Sequence, residues 1–238
     1  MKVLILAAHP DDEVLGMGGT ITKLTKNRCE VKIVIMATGI SARRSANFRN
    51  NSSYTVGNDV HIKMEQQIKD LRLDAKNAAK IMGVTDIELM DFPDNEMDRV
   101  SNLEITKTIE QIIQKFKPEI VFTHSQYDIN VDHRVLYYAT LTATRPKVGQ
   151  KVKEVITFEV PSSTEWFFPS NFSPNIFVDI SKELSSKQKA LRAYKKEIMK
   201  YPHPRSTEAI EAIAKRWGST SGFNAAEAFC LVRKLGDI

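Results

Sequence analysis

The sequence predicts an α/β protein, a Rossmann-like three-layer sandwich with a mainly parallel sheet and C-terminal helices. Through residues 1–145, short apolar runs alternate with longer segments of helical periodicity. This alternation is typical of parallel strands that are joined by right-handed crossover helices. Two of the apolar runs end in clusters of histidine and acidic residues, and such sheets bind ligands at the carboxyl ends of their strands.

Length and composition indicate a single folded domain over residues 1–238. Hydrophobic residues make up 42% and charged residues 26% of the chain, which supplies a core and argues against disorder. The two cysteines, Cys29 and Cys230, are too few for a disulfide framework or a Cys-rich zinc module, and we expect buried free thiols. Every apolar run is too short to span a membrane, and the first one leads directly into acidic residues. We therefore predict a cytoplasmic protein.

Each element is predicted from its periodicity and its end signals. Apolar runs predict strands at 3–8, 31–37, 87–90 and 119–123. Helical periodicity predicts helices at about 13–27, 62–82 and 134–144, and another that begins with a capping box at Ser101 and Glu104 and ends before Pro118. The C-terminal part predicts strands at 153–160 and 175–180, a helix that Ser181 caps and that runs to about residue 200, and helices near 206–217 and 224–235.

Residues 40–61 are polar, lack periodicity and include the arginines Arg43, Arg44 and Arg49. A loop of this length in a compact domain is commonly a lid, a binding loop or a disordered segment. Because it follows the carboxyl end of the second strand, it can cover a site there, and its arginines can meet phosphate. A surface insertion without function is the alternative interpretation.

Residues 8–13, with the sequence AHPDDE, contain one histidine and three acidic residues between the first predicted strand and the first predicted helix. Carboxyl groups this close repel one another unless a cation neutralises them or one carries a proton. A metal ion satisfies this requirement, since His9 and Asp12 can both reach it while Asp11 faces water on the metal. Acids that merely fill the first turn of a helix are the alternative. The histidine and proline that precede them favour the metal.

A second polar cluster, residues 124–133, follows the fourth predicted strand. In a parallel sheet this cluster meets residues 8–13 at one edge, so His133 can join His9 and Asp12 around one ion. Two nitrogens and one oxygen, with a fourth position open to water, are typical of catalytic rather than structural zinc. Non-haem iron uses the same ligand types, so we predict Zn2+ and leave Fe2+ open.

With AHPDDE at 8–13 and a later Asp-His pair in 128–133, the chain resembles the LmbE-like, or PIG-L, deacetylases, with coarse similarity over residues 1–145. The resemblance implies a Rossmann-like fold and zinc-dependent hydrolysis of a linear amide, usually the removal of acetyl from an N-acetylglucosamine unit. It also implies roles for the site residues: His9, Asp12 and His133 as metal ligands, Asp11 as general base, and Arg72 and Asp94 as substrate contacts.

One position departs from the family pattern. Many members have a histidine three positions before the ligand histidine, and here that position is Asn130. An asparagine amide can donate a hydrogen bond to an oxyanion but cannot give up a proton, so either Asp11 also acts as the acid or another histidine helps. His203, which has a proline on each side, is the best candidate for this catalytic role, and His124 is the second. The alternative for His203 is a purely structural role in a loop or in the core.

The chain is basic, with a net charge of +5 and a pI near 9.1, but most of the excess charge is scattered. The basic residues between 182 and 200 are predicted to form the solvent-exposed face of one helix, and a basic and aromatic pattern suited to nucleic acid is missing. The expected partner is a small N-acetyl amino sugar, with a bias toward a phosphorylated one, and a homo-oligomer is compatible with the sequence. The rival functions are a non-catalytic sugar- or nucleotide-binding protein and a metal hydrolase of another amide or ester.

Overall fold

The computed structural model describes residues 1–39 and 58–236 of the chain. Within them, seven strands form one sheet: β1 (Lys2–Ala7), β2 (Glu30–Ala37), β3 (Asp86–Phe92), β4 (Ile120–His124), β5 (Glu154–Phe158), β6 (Ile176–Asp179) and β7 (Ala226–Lys234). The same residues form six α-helices: α1 (Asp12–Lys26), α2 (Asn58–Ile81), α3 (Asn102–Phe116), α4 (Val131–Ala143), α5 (Leu184–Ala193) and α6 (Thr207–Ser221). Of these helices, none is both long enough and apolar enough to cross a membrane.

The strand order is β3-β2-β1-β4-β5-β7-β6. Strands β1 to β5 pair in parallel, whereas β7 pairs antiparallel with both β5 and β6. The predicted α/β class with a mainly parallel sheet is therefore confirmed. Because the chain proceeds from β1 to β2 and β3 on one side and places β4 on the other, the order reverses between β1 and β4. Doubly wound sheets bind ligands at such a reversal, outside the carboxyl ends of the strands.

Strand β1 is buried on both faces, as its continuous apolar sequence predicts. Val3, Ile5 and Ala7 pack in one cluster with residues of α1, α2 and α5. Leu4 and Leu6 pack in a second cluster with residues of α3 and α4. The two clusters lie on opposite faces because successive side chains of a strand alternate. Helices therefore cover both sides of the sheet, which confirms the predicted three layers.

Two predictions for the C-terminal part are wrong. Residues 224–235, predicted as a helix, contain β7, because pairing with both β5 and β6 outweighs the helix propensity of its alanines and glutamate. The helix predicted from Ser181 to about residue 200 is shorter. It spans only Leu184–Ala193, and the Ser181 hydroxyl donates to Asp179 (2.5 Å) rather than accepting from the helix. Cys29 and Cys230 are free as predicted, but they are only half-buried.

Helix α1 is kinked at Met17, where φ is −149° and ψ is 24°. In a regular helix the N–H of Gly19 would bond the C=O of Leu15. Here Glu227 of β7 accepts from Gly19 (2.9 Å), and Lys187 of α5 donates to Leu15 (2.8 Å). Lys187 also lies 2.7 Å from Glu227. The prediction that Lys187 belongs to an exposed helix face is therefore wrong, since this side chain is buried in an ion pair that supports the kink.

We expect Lys187→Met to lower the free energy of unfolding by about 3–5 kcal/mol, because it removes the cation that pairs with the buried carboxylate of Glu227. Urea denaturation measures this change. Lys189→Met is the matched control, since Lys189 is exposed on the same helix. Equal stabilities of the two variants would show that the buried pair does not support the fold.

Candidate metal centre

The AHPDDE segment makes a tight turn between β1 and α1. Asp11, the residue before α1, has a φ of 104° and a ψ of −27°, a backbone conformation that is strained for any residue other than glycine. Its N–H donates to the carboxylate of Glu13 (3.2 Å), and the N–H of His9 donates to Asp12 Oδ2 (2.8 Å). These bonds fix the turn around carboxyl groups that are almost fully buried.

Three potential ligand atoms converge at this turn, and we call them the ligand triangle: His9 Nδ1, Asp12 Oδ2 and His133 Nε2. His9 Nδ1 lies 3.3 Å from each of the other two atoms, which are 3.2 Å apart. Tetrahedral ligands with bonds of about 2.05 Å to zinc are about 3.3 Å from one another. The triangle therefore matches three corners of a tetrahedral site, and the structure brings together the three ligands that the sequence predicts.

The buried side chain of Asp12 gives the most direct indication of a bound cation. Its side chain is 1% exposed, and within the described part of the chain its Oδ1 has no hydrogen-bond partner. Burial raises the pKa of Asp12, but the neighbouring His133 and His9 outweigh this and hold it well below its usual value. A buried ionised carboxylate is unfavourable without full pairing. A divalent metal fits the unsatisfied oxygen and the two imidazoles beside it.

A second group, His9 with Asp94 and Asp132, also contains enough ligand atoms for a metal. His9 Nε2 lies 2.9 Å from Asp132 Oδ2 and 3.1 Å from Asp94 Oδ1. Asp132 already accepts the N–H groups of Asn95 (2.6 Å) and Met97 (3.0 Å). A ligating histidine commonly donates its second ring N–H to a carboxylate, so these two acids orient His9 with Nδ1 in the ligand triangle. Asp94, the predicted substrate contact, is thus buried against His9.

His133 is oriented in the same way by Asp128. Its Nδ1 lies 3.0 Å from Asp128 Oδ2, and Asp128 also accepts the hydroxyl groups of Ser163 and of Thr164 (2.7 Å for Thr164). Burial raises the pKa of Asp128, but His133 and the two hydroxyl groups outweigh it and lower the pKa to about 2. An ionised Asp128 keeps the ring of His133 turned with Nε2 in the ligand triangle.

Asp11 adjoins Asp12 in the chain but is not one of the three residues of the ligand triangle. It pairs with Arg205, whose Nη1 lies 2.9 Å from Asp11 Oδ2. Burial raises the pKa of Asp11, Arg205 opposes this, and the adjacent acids raise it further, to about 7. Such a carboxyl can accept and release a proton near neutral pH. Sequence reasoning misses Arg205, because nothing near residue 205 indicates a partner 194 positions earlier in the chain.

Two predicted donors, His124 and Asn130, have supporting contacts. His124 Nε2 accepts the N–H of Ala8 (2.8 Å), which joins the ends of β4 and β1, and its ring stacks on His133 at 3.9 Å. Burial, and then His133, lower the pKa of His124 well below its usual value, so it is neutral. Asn130 caps α4, because its Oδ1 accepts from Asp132 (2.8 Å), while its Nδ2 donates to Asn95 (3.0 Å). A catalytic role for Asn130 stays a prediction.

His203 is half-buried in the loop that also contains Arg205. Its Nδ1 accepts the N–H of Arg205 (3.1 Å), and its ring lies edge-on to Trp166 with centroids 6.1 Å apart. This bond ties His203 to the residue that pairs with Asp11. The catalytic role of His203 stays a prediction.

Arg72, on α2, lies beside the carboxyl end of β3. It donates to the carbonyl of Met90 (3.0 Å) and pairs with the exposed carboxylate of Asp91. Among the described residues, its contacts do not include the ligand triangle, and its substrate role stays a prediction. Residues 40–57 of the loop predicted at 40–61, including Arg43, Arg44 and Arg49, lie outside the described residues. The last four residues of that predicted loop belong to α2, which begins at Asn58.

A family model for PIG-L, described as GlcNAc-PI de-N-acetylase, matches residues 4–144. The chain belongs to the PIG-L family. The match covers the ligand triangle, Asp11 and Asn130, whereas His203 and Arg205 lie beyond it.

Two diacetylchitobiose deacetylases are similar to this PIG-L chain. The enzyme of Thermococcus kodakarensis is 27% identical over 239 residues, which span 97% of this chain and 83% of that protein. The structure of N,N'-diacetylchitobiose deacetylase from Pyrococcus horikoshii, in complex with its inhibitor MPG, superposes with a TM-score of 0.74. The superposition covers 98% of this chain and 84% of that one, at 23% identity.

A protein of another reaction class has the same fold. The structure of GalB, the 4-carboxy-2-hydroxymuconate hydratase of Pseudomonas putida KT2440, superposes with a TM-score of 0.73 over 100% of this chain and 99% of that one, at 20% identity. At this identity the likeness shows the fold alone. Since deacetylases and a hydratase share it, the reaction must be argued from the side chains of the site.

The buried acids predict how the stability of the metal-free protein depends on pH. Burial raises the pKa of Glu13 to about 7 despite a hydrogen bond from Tyr194 (2.5 Å), and Asp11 also has a pKa of about 7. Both pKa values exceed the usual carboxyl value of about 4, so the folded state binds these protons more tightly than the unfolded state. Their stabilising contribution is present at low pH and is lost as the pH rises through about 7.

We therefore expect the free energy of unfolding of chelator-treated protein to fall between about pH 4 and pH 7, that is, between the pKa values of these groups in the unfolded and folded states. Urea denaturation at several pH values measures it, and Glu13→Gln, which cannot ionise, should flatten the fall. A stability that increases over this interval would be incompatible with the raised pKa values.

Proposed function

We propose that the chain is a zinc-dependent N-deacetylase that releases acetate from an N-acetyl amino sugar. The observation that carries the proposal is the ligand triangle beside Asp11, a buried carboxyl with a pKa of about 7. Membership in a family described as de-N-acetylases supports the reaction. Similarity to the diacetylchitobiose deacetylase of Thermococcus kodakarensis supports an N-acetylglucosamine unit in the substrate.

Zinc is the metal in this proposal, because two imidazole nitrogens and one carboxylate oxygen are ligands typical of catalytic zinc. Fe2+ is the alternative, because it takes the same ligand types. When bound, zinc supplies Lewis-acid polarisation of a carbonyl and a lowered pKa for water.

Asp11 is the general base in this proposal. Its carboxylate accepts a proton from the water that attacks the amide carbonyl carbon, and it can return that proton to the nitrogen as the C–N bond breaks. His9 and His133 are held by carboxylates on their outer ring nitrogens and keep their places through the reaction.

We propose His203 as the donor to the oxyanion, with Asn130 as the alternative. Because Nδ1 of His203 accepts the N–H of Arg205, the neutral ring carries its proton on Nε2 and can donate it. Asn130 already uses its Oδ1 and one amide N–H within the protein. Its remaining N–H can donate a hydrogen bond but cannot transfer a proton.

The sugar contacts proposed for Arg72 and Asp94 differ in their surroundings. Asp94 is almost fully buried and lies against His9 Nε2, the ring nitrogen outside the ligand triangle. Arg72 stands at the end of β3, where Asp91 neutralises its charge. The preference for a phosphorylated sugar rests otherwise on arginines outside the described residues, so an uncharged N-acetyl sugar is the first substrate to test.

The proposal is tested by measuring acetate release from N,N'-diacetylchitobiose and N-acetylglucosamine. We expect the zinc-loaded protein to release acetate and a chelator to stop it. Asp11→Asn should retain the metal but lose about a hundredfold or more in kcat. Asp86→Asn, at the exposed start of β3, is the matched control. If the metal-loaded protein releases no acetate from either sugar, the proposed function is wrong and a binding protein or another hydrolase is favoured.

The role of His203 is tested in the same assay at saturating substrate. If His203 donates to the oxyanion, His203→Gln should lower kcat by about a hundredfold with little change in KM. Asn130→Ala should be compared with it, together with a stability measurement, because loss of the cap alone destabilises the protein by about 1 kcal/mol. An unchanged kcat for His203→Gln would return His203 to a packing role.

A further inference from the structure

Arg205 joins the C-terminal part of the chain to the AHPDDE turn through three contacts. Its Nη1 lies 2.9 Å from Asp11 Oδ2 and 3.5 Å from Glu197 Oε2, and its Nε donates to the hydroxyl of Ser162 (2.7 Å). The side chain is only 27% exposed. A planar guanidinium with three fixed partners has little freedom to turn, which makes it a rigid support.

The backbone of Asp11, the residue that Arg205 contacts, is in a strained conformation. Asp11 has a positive φ of 104°, and such a conformation persists only where the surrounding structure determines it. The carboxylate of Glu13 accepts the backbone N–H of Asp11, and Arg205 holds the carboxylate of Asp11. The backbone and the side chain of Asp11 are thus held separately, by α1 and by the loop before α6.

We infer that Arg205 is a positioning residue, which holds the Asp11 carboxylate in the orientation that proton transfer requires. This inference rests on the proposed function, in which Asp11 is the base. It goes beyond the family match, because Arg205 and its partner Ser162 both lie outside residues 4–144. The C-terminal part of the chain therefore completes the site rather than only covering the sheet.

The turn after β5, which contains Ser162, also supports a residue of the ligand triangle. Ser162 holds Arg205, while the next two residues, Ser163 and Thr164, donate to Asp128, which orients His133. Residues 162–164 therefore contact both Arg205, which holds Asp11, and Asp128, which holds His133. The contacts that hold Arg205 and Asp128 therefore meet in a single turn after β5.

The inference is tested with Arg205→Met, Arg205→Lys and the control Arg192→Met, since Arg192 is exposed on α5. A misplaced catalytic group costs about a hundredfold in rate, so we expect Arg205→Met to lose about that much in kcat with KM and zinc content unchanged. Arg205→Lys should recover part of the loss, because it keeps the charge but not the three contacts. A raised KM with unchanged kcat would overturn the inference and make Arg205 a substrate contact.

Crystal structures of the variants give a readout that does not depend on activity. We expect the Asp11 carboxylate to turn away from its position in Arg205→Met and to stay in place in Arg192→Met. An unmoved Asp11 in Arg205→Met would overturn the inference, whatever the kinetics. If the wild-type protein instead releases no acetate while Asp11 moves as expected, the proposed function fails and the positioning role stands.

Discussion

The burial of three successive carboxyl groups, Asp11, Asp12 and Glu13, is the constraint on which the rest of the site depends. Each is less than 2% exposed, and each is accommodated in a different way. Asp12 is ionised between two imidazoles, Asp11 faces the guanidinium of Arg205, and Glu13 meets the hydroxyl of Tyr194. Except for His9, these partners come from distant parts of the chain, so the burial of the three carboxyl groups depends on the tertiary fold.

The two histidines of the ligand triangle are each held at one ring nitrogen. His9 is held by Asp94 from the loop after β3 and by Asp132 from the first turn of α4, and His133 is held by Asp128. Asp128 in turn accepts hydroxyl groups from the loop after β5. Each ring therefore has one nitrogen fixed to an acid and the other turned to Asp12. An imidazole fixed in this way binds a metal without reorganising, which strengthens the case for the ligand triangle over the second acidic group.

Much of the site could be predicted because its chemistry is local. His9, Asp11 and Asp12 lie in one short motif, and a parallel sheet must bring His133 to the same edge. Arg205 and Asp128 could not be assigned, since their roles depend on contacts across the fold that leave no local pattern.

The same limit applies to Lys187 and β7. Alanine-rich segments and lysines resemble exposed helices in sequence. Residues 226–234 nevertheless form a strand, because they pair with both β5 and β6, and Lys187 is buried because it pairs with Glu227. Propensity is a local quantity, and it fails where tertiary pairing decides the structure.

Since a hydratase shares the fold, the proposed reaction depends on whether the ligand triangle binds the metal beside Asp11. Anomalous diffraction from zinc-containing crystals, on both sides of the zinc absorption edge, locates the metal directly. We expect one peak, about 2.0–2.2 Å from His9 Nδ1, Asp12 Oδ2 and His133 Nε2. A peak at His9 Nε2 between Asp94 and Asp132, or an ordered triangle without a peak in zinc-saturated crystals, would contradict it.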